Sequence, residues 1–362
     1  MNSSVPERFQ ISPYMAAYVV VAMQIGIGAL GFQRIIAKDA GYDAWISVIG
    51  AGLVTHIFVW MMYKICEAAE GDVIHANVYV FGKLIGNIIN TGFIFYFIIT
   101  CTAVVGELIE IIRTWMFLDF SPFWFAIIYL LLGIYIVFGG FRTVAGISFF
   151  GKIIPFYLVF SFGYALKYGD FSNVLPIFDH SFSQIVKSGY DMSLSFLGFE
   201  ILLFFYPFIK NPEQSKKWVH IGLLATTFVY TGLTVISFAY FPPRLLERSI
   251  WPTLEMWKIV RLPFVERFEY LGIANWALLI LPNVAITLWA ASRGVKQVYH
   301  ISQKKAVILI ALICLMISMQ IPTRERIQIF LNLDSQVGFA LTFLYTPILF
   351  FSILIKKKVK AK

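Results

Sequence analysis

Two runs of small residues interrupt stretches that are otherwise bulky and apolar. The first is Gln24-Ile-Gly-Ile-Gly-Ala-Leu-Gly31, and the second is Ser193-Leu-Ser-Phe-Leu-Gly-Phe-Glu200. Glycines placed this densely weaken a helix, because each adds backbone freedom and removes a packing side chain. An unwound turn then leaves amides and carbonyls without helical partners. At membrane depth such groups persist only where they are buried in protein or line a cavity, so a matched pair of breaks marks a ligand site. Freed amides and carbonyls of this kind can hold a small polar ligand, for example one that carries both a carboxylate and an ammonium. Its carboxylate accepts from amides between Gly26 and Gly31, with Gly28 central, and the positive end of the following half-helix helps. Its ammonium meets carbonyls in the stretch Ser195, Phe196, Leu197 and Gly198. Gln24 adds a carboxamide, and Ile27, Phe196 and Phe199 offer surface to a small side chain.

Charged groups inside apolar runs are expensive and tend to carry function. Glu200 directly follows the second break, and Lys152 lies about ten residues into the run that starts near Arg142, too deep for an end charge that reaches the interface. Glu107, Glu110 and Arg113 share a helix face at three-residue steps, which predicts a Glu110–Arg113 pair at a solvated helix end. Tyr96, Thr100 and Val104 form one stripe, and Asn283 and Thr287 are also four apart, just after Pro282. His56 is a lone imidazole in an apolar run and reads as a core histidine. No nucleophile sits beside a base and no His/Cys cluster has metal spacing, so neither a catalytic residue, nor a bound metal, nor a cofactor is expected. The GxGxxG formed by Gly26, Gly28 and Gly31 is not a dinucleotide loop, since it follows no predicted strand and opens no βαβ unit.

The elements that hold these residues are membrane helices. The 362 residues are 59% hydrophobic and only 14% charged, which excludes a water-soluble enzyme. Polar intervals are short and separate apolar runs long enough to cross a bilayer. Ten spans are expected: Pro13–Gln33, Asp43–Ile65, Leu84–Trp115, Pro122–Gly139, Val144–Tyr168, Gln184–Ile209, Trp218–Phe241, Phe268–Ser292, Lys305–Ile321 and Gln336–Ile355. They make one transmembrane domain, with residues 12–168 and 184–355 as two five-helix repeats and with 1–11 and 356–362 as cytoplasmic tails. The breaks fall in spans one and six, and this five-span offset fits inverted repeats. Lys and Arg are more numerous on the N-terminal side, placing both termini in the cytoplasm. The net charge of +9 collects at span ends and in the tail Lys356, Lys357, Lys358, Lys360 and Lys362, where it sets topology and meets anionic lipid instead of nucleic acid. The three cysteines show neither disulfide nor zinc spacing.

SFLGFE at Ser195–Glu200, the GIG break at Gly26–Gly28, GKIIPFYL from Gly151, and the outer-loop pair Ile250-Trp-Pro-Thr253 and Val265-Glu-Arg-Phe-Glu269 resemble the spore germinant-receptor B-subunit family. That family belongs to the amino acid-polyamine-organocation transporter superfamily. The resemblance covers about Ile11 to Lys358 and departs at Gly31-Phe-Gln33, where the family often carries a proline. It implies an all-α, leucine-transporter-type fold with broken helices one and six, located in the spore inner membrane. It further implies a small nutrient as ligand, usually an amino acid, and A and C subunits as signalling partners. Spans one, three, six and eight would line the pocket, so that Tyr96, Thr100, Asn283 and Thr287 offer polar groups to the ligand. Lys152 would stand where sodium-coupled relatives bind a cation, tying span five to span one. The alternative is a permease of the same fold, with Glu200 as a proton site.

Overall fold

The computed structural model describes residues 5–119, 121–321 and 323–360, and of the basic tail only Lys362 lies outside them. The described residues form helices joined by short turns, with no named strand among them. Seven helical segments are long and apolar enough to cross a membrane, and Phe182–Ser195 with Phe199–Phe208 makes an eighth, bent by 50°. The shorter apolar helices Met15–Gln24 and Pro122–Phe138 supply spans one and four.

Span one is Met15–Gln24 followed, across the break, by Phe32–Ala40; a single turn then leads into span two, Ala44–Ala69. Span three, Val73–Trp115, begins earlier than its apolar run suggests. A leading segment is set off by Gly82, whose φ of 80° only glycine adopts cheaply. Span five, Phe141–Leu166, tightens at Ile154–Tyr157, where Pro155 removes a helical donor. Spans seven, eight and nine are Pro212–Tyr240, Phe268–Tyr299 and Gln303–Gln320.

Span ten corrects the sequence reading. It runs from Arg324 to Val359, starting well before Gln336. Its first half carries Arg324, Gln328, Asn332 and Gln336 at four-residue steps, and all four face a cavity. A hydropathy reading misses a helix whose polar face is matched by a water-lined wall. In mid-course span ten loosens into a π-helical turn, Ala340–Tyr345, in which Phe343 packs edge-on against Phe199 of the second break.

The start of span one and the end of span ten lie on one face, and that face is packed shut around Ile11 and Arg293. Ile11 pairs with Ile209 in an isolated parallel bridge, its amide donating to Phe208 O at 2.7 Å. Phe141, Phe205, Phe208 and Trp289 pack into an aromatic plug above. Arg293 caps the plug, its guanidinium 4.5 Å from the Phe208 ring centroid and 2.9 Å from Asp72 Oδ2, which also accepts from Gln297. The opposite face opens into a cavity of about 1260 Å³.

Candidate functional site

The cavity descends to the two breaks. Ile27, Gly28, Gly31 and Phe32 of span one line it, as do Tyr190, Leu194 and Ser195 of span six. Glu107 of span three, Ile250 and Trp251 of the outer loop, and the polar face of span ten also line it, together with the charged residues Arg34, Lys38, Asp43, Asp179, Asp191, Arg244 and Glu247.

Break one is an extended step at Ile25 and Gly26 followed by a 3-10 turn, Ile27–Leu30. Within the turn the Ala29 amide donates to Gly26 O and the Gly31 amide to Gly28 O. Gly28 looks into space: a Cβ there would meet only Ser195 Oγ, at 3.9 Å. Gly31 is different, because a Cβ would press on Ile250 O at 2.7 Å. The outer-loop motif explains this closeness. Thr253 Oγ1 donates to Ala29 O at 2.9 Å and accepts from Gln33 Nε2 at 2.7 Å, while Trp251 Nε1 donates to Glu107 Oε1 at 3.2 Å. Gln33, at the departure from the family's proline, thus docks the loop onto span one.

Break six is tied off by protein groups. Gly198 takes φ 115°, and a Cβ there would fall 2.7 Å from the Met23 backbone. Glu200, 1% exposed, curls back onto the break: Oε2 accepts from the Gly198 amide at 2.7 Å and Oε1 from Tyr96 Oη at 2.6 Å. Two of the carbonyls expected to meet an ammonium already accept a hydrogen bond. Phe196 O accepts from Gln24 Nε2 at 3.1 Å, and Ser195 O accepts from Tyr230 Oη at 3.3 Å, which also lies 2.9 Å from Gln24 O.

The structure therefore places Ile27, Gly28, Gly31 and Ser195 of the sequence-derived set on the cavity wall. Gln24, Gly26, Phe196, Leu197, Gly198 and Phe199 lie beneath it, where the two breaks cross. Tyr96 is committed to Glu200, and Thr100 sits 2.5 Å from Asp334 Oδ1 of span ten. Asn283 Nδ2 donates to Met23 O at 3.4 Å, and Thr287 bonds back to Asn283 O at 2.8 Å. Lys152 Nζ donates to Ile25 O at 2.8 Å and Leu279 O at 3.3 Å, joining span five to break one and to span eight. The Glu110–Arg113 pair does not form. Glu110 Oε2 takes Arg324 Nη1 at 2.9 Å instead, and Arg113 lines a separate groove with Phe123 and Ser318. The helix step was right but the stronger partner comes from another span. His56 has a partner too, His220 of span seven, Nδ1 to Nδ1 at 2.7 Å.

Sequence reasoning missed Tyr230, Asp334, Arg324 and the polar face of span ten. Only the last left a signal, the four-step spacing of Arg324, Gln328, Asn332 and Gln336. Among the described residues no group of three or more His, Cys, Asp or Glu is placed to hold a metal ion.

Comparison with known proteins extends this geometry. Residues 10–327 match the spore permease family, described as spore germination protein. The chain is 42% identical over 345 residues to the spore germination protein GerQB of Bacillus cereus, covering 95% of this chain and 96% of the relative. It is 23% identical to spore germination protein A2 of Bacillus subtilis (strain 168), covering 98% of both. Among solved structures, the fold is similar to MHP1, a nucleobase-cation-symport-1 family transporter in a closed conformation with bromovinylhydantoin bound (TM-score 0.63, 14% identity, 97% of this chain and 80% of that one). It is also similar to MhsT in complex with L-phenylalanine (TM-score 0.58, 13% identity, 94% and 87%). Broken spans one and six, a mid-membrane cavity and a match along nearly the whole chain agree, and the protein belongs to the spore germinant-receptor B-subunit family, with a leucine-transporter-type fold.

Proposed function

We propose that the chain is the nutrient-sensing subunit of a germinant receptor in the spore inner membrane. It binds a small nutrient of the amino acid class between spans one and six, and signals through A and C partner subunits without catalysing a reaction. The observation that carries this reading is the cavity reaching down to Gly28 and Ser195 while the face bearing both termini is sealed. A ligand carboxylate meets the turn at Gly28, and its side chain rests on Ile27, Phe32 and Leu194. Both termini then lie in the cytoplasm and the cavity opens outward. Binding that favours one arrangement of the broken helices shifts the conformer population, which a partner subunit reads as a coupling of about 1–3 kcal/mol.

Thermal stabilisation of the purified chain against amino acids, amines, sugars and nucleosides tests this. A ligand at 100 times its Kd adds about 2.7 kcal/mol. The stabilising compound is expected to be an amino acid, and Gly28→Leu, whose Cβ meets only Ser195 Oγ at 3.9 Å and whose side chain points at the binding turn, should abolish the response. Stabilisation that survives Gly28→Leu would move the site elsewhere. Uptake by proteoliposomes separates sensing from transport: flux of the stabilising compound through the isolated chain would favour a permease.

A further inference from the structure

Glu107 is the one acidic residue of span three that borders the cavity, and nothing in the breaks accounts for it. It is 6% exposed and faces the same space as Gly28 and Ser195. Oε1 accepts from Trp251 Nε1 at 3.2 Å, but Oε2 has no hydrogen-bond donor among the described residues. The adjacent cation sits closer to another carboxylate: Arg324 Nη1 is 4.0 Å from Glu107 Oε1 but 2.9 Å from Glu110 Oε2, with its guanidinium carbon 4.7 Å from the centre of the Trp251 ring. Two carboxylates thus share one guanidinium. Such a buried charge is stable when a second cation completes it. At break six, Phe196 O and Ser195 O each already accept one hydrogen bond, from Gln24 and Tyr230, which weakens them as ammonium acceptors beside a carboxylate.

We infer that the Glu107 carboxylate receives a cationic group of the ligand, a primary ammonium, and so selects amino acids and amines over carboxylic acids and neutral polyols. The inference rests on the cavity being the nutrient site and adds the group that reads charge. It also assigns Trp251 a role. The indole fixes one oxygen of Glu107 and leaves Oε2 toward the cavity, making Trp251 a positioning residue for recognition.

The test needs no knowledge of the nutrient. Ser195→Cys places a thiol on the cavity wall, while Cys66, Cys101 and Cys314 are buried. Its modification rates are measured with a cationic and an anionic methanethiosulfonate, with and without Glu107→Gln or Glu107→Asp. The ratio of cationic to anionic rate should fall at least about fivefold in Glu107→Gln and largely recover in Glu107→Asp. An unchanged ratio overturns the inference, as does an equal fall in both variants, which would reflect lost packing. A second arm uses any compound that stabilises the wild type: its N-acetylated form should fail to stabilise, and equal stabilisation would contradict the assignment. If no compound stabilises the wild type, the nutrient reading fails while the labelling arm still decides the role of Glu107.

Discussion

Break one leaves Gly28 on the cavity wall, with Ser195 Oγ at 3.9 Å as the nearest obstacle to a side chain. Break six packs Gly198 into the backbone of Met23 at 2.7 Å and folds Glu200 back over its own amide. Both breaks consist of small residues in an apolar run, yet one presents its turn to the cavity and the other braces the crossing of two helices. The difference lies in what approaches from other spans. Tyr230, Gln24 and Tyr96 converge on break six, whereas break one is held from behind, by Lys152 at Ile25 O and Thr253 at Ala29 O, with its front left open. An interruption by small residues therefore does not by itself open a helix to a cavity: the groups that approach from other spans decide whether the turn is covered.

This contrast can be broken most forcefully at Gly198. Gly198→Ala combines a left-handed backbone with a clash against fixed backbone, and should destabilise the chain by about 3 kcal/mol or more. Survival of the variant at wild-type melting temperature would remove the bracing role. Lys152→Met withdraws the donor from Ile25 O behind break one and should lower stability by about 2 kcal/mol. A silent melting curve would mean that Lys152 merely reaches toward the interface. Glu200→Gln puts an NH2 group where one of two donors now points, at a cost of about 1–3 kcal/mol. An unchanged melting temperature, with changed pH dependence of germination signalling, would recast Glu200 as a proton site. Gly28→Leu sharpens the comparison from the other side, since its expected effect on melting temperature is close to zero while ligand response is lost.

Much of this was legible in the sequence because backbone demands are local. The first break followed from glycine density and the second from Ser193, Ser195 and Gly198 ahead of a carboxylate, and the depth of Lys152 within its run flagged a residue that reaches break one. The partners were not legible. Thr253 meets Ala29 across more than two hundred residues, and Tyr230 meets Gln24 across a similar distance, so no periodicity within one helix could report them. The expected roles of Tyr96 and Thr100 rested on their shared stripe, which gave the face correctly but not whether a carboxylate would occupy it first. Span ten shows the reverse error. Its four-step polar spacing was present in the sequence, but polarity was taken as the end of the membrane instead of the wall of a cavity.

The central claim is that the turn at Gly28 in break one opens onto the cavity while the turn at Gly198–Phe199 in break six does not. Single cysteines at Gly28 and at Phe199, which is fully buried, can be exposed to a membrane-impermeant cationic methanethiosulfonate on a background of three buried native cysteines. Gly28→Cys should react at least about a hundredfold faster than Phe199→Cys, the ratio expected if modifying the latter needs a local opening of roughly 2.7 kcal/mol or more. Comparable rates at the two positions would show that the turn after Gly198 is as open as the turn at Gly28, and would contradict the division of labour described here.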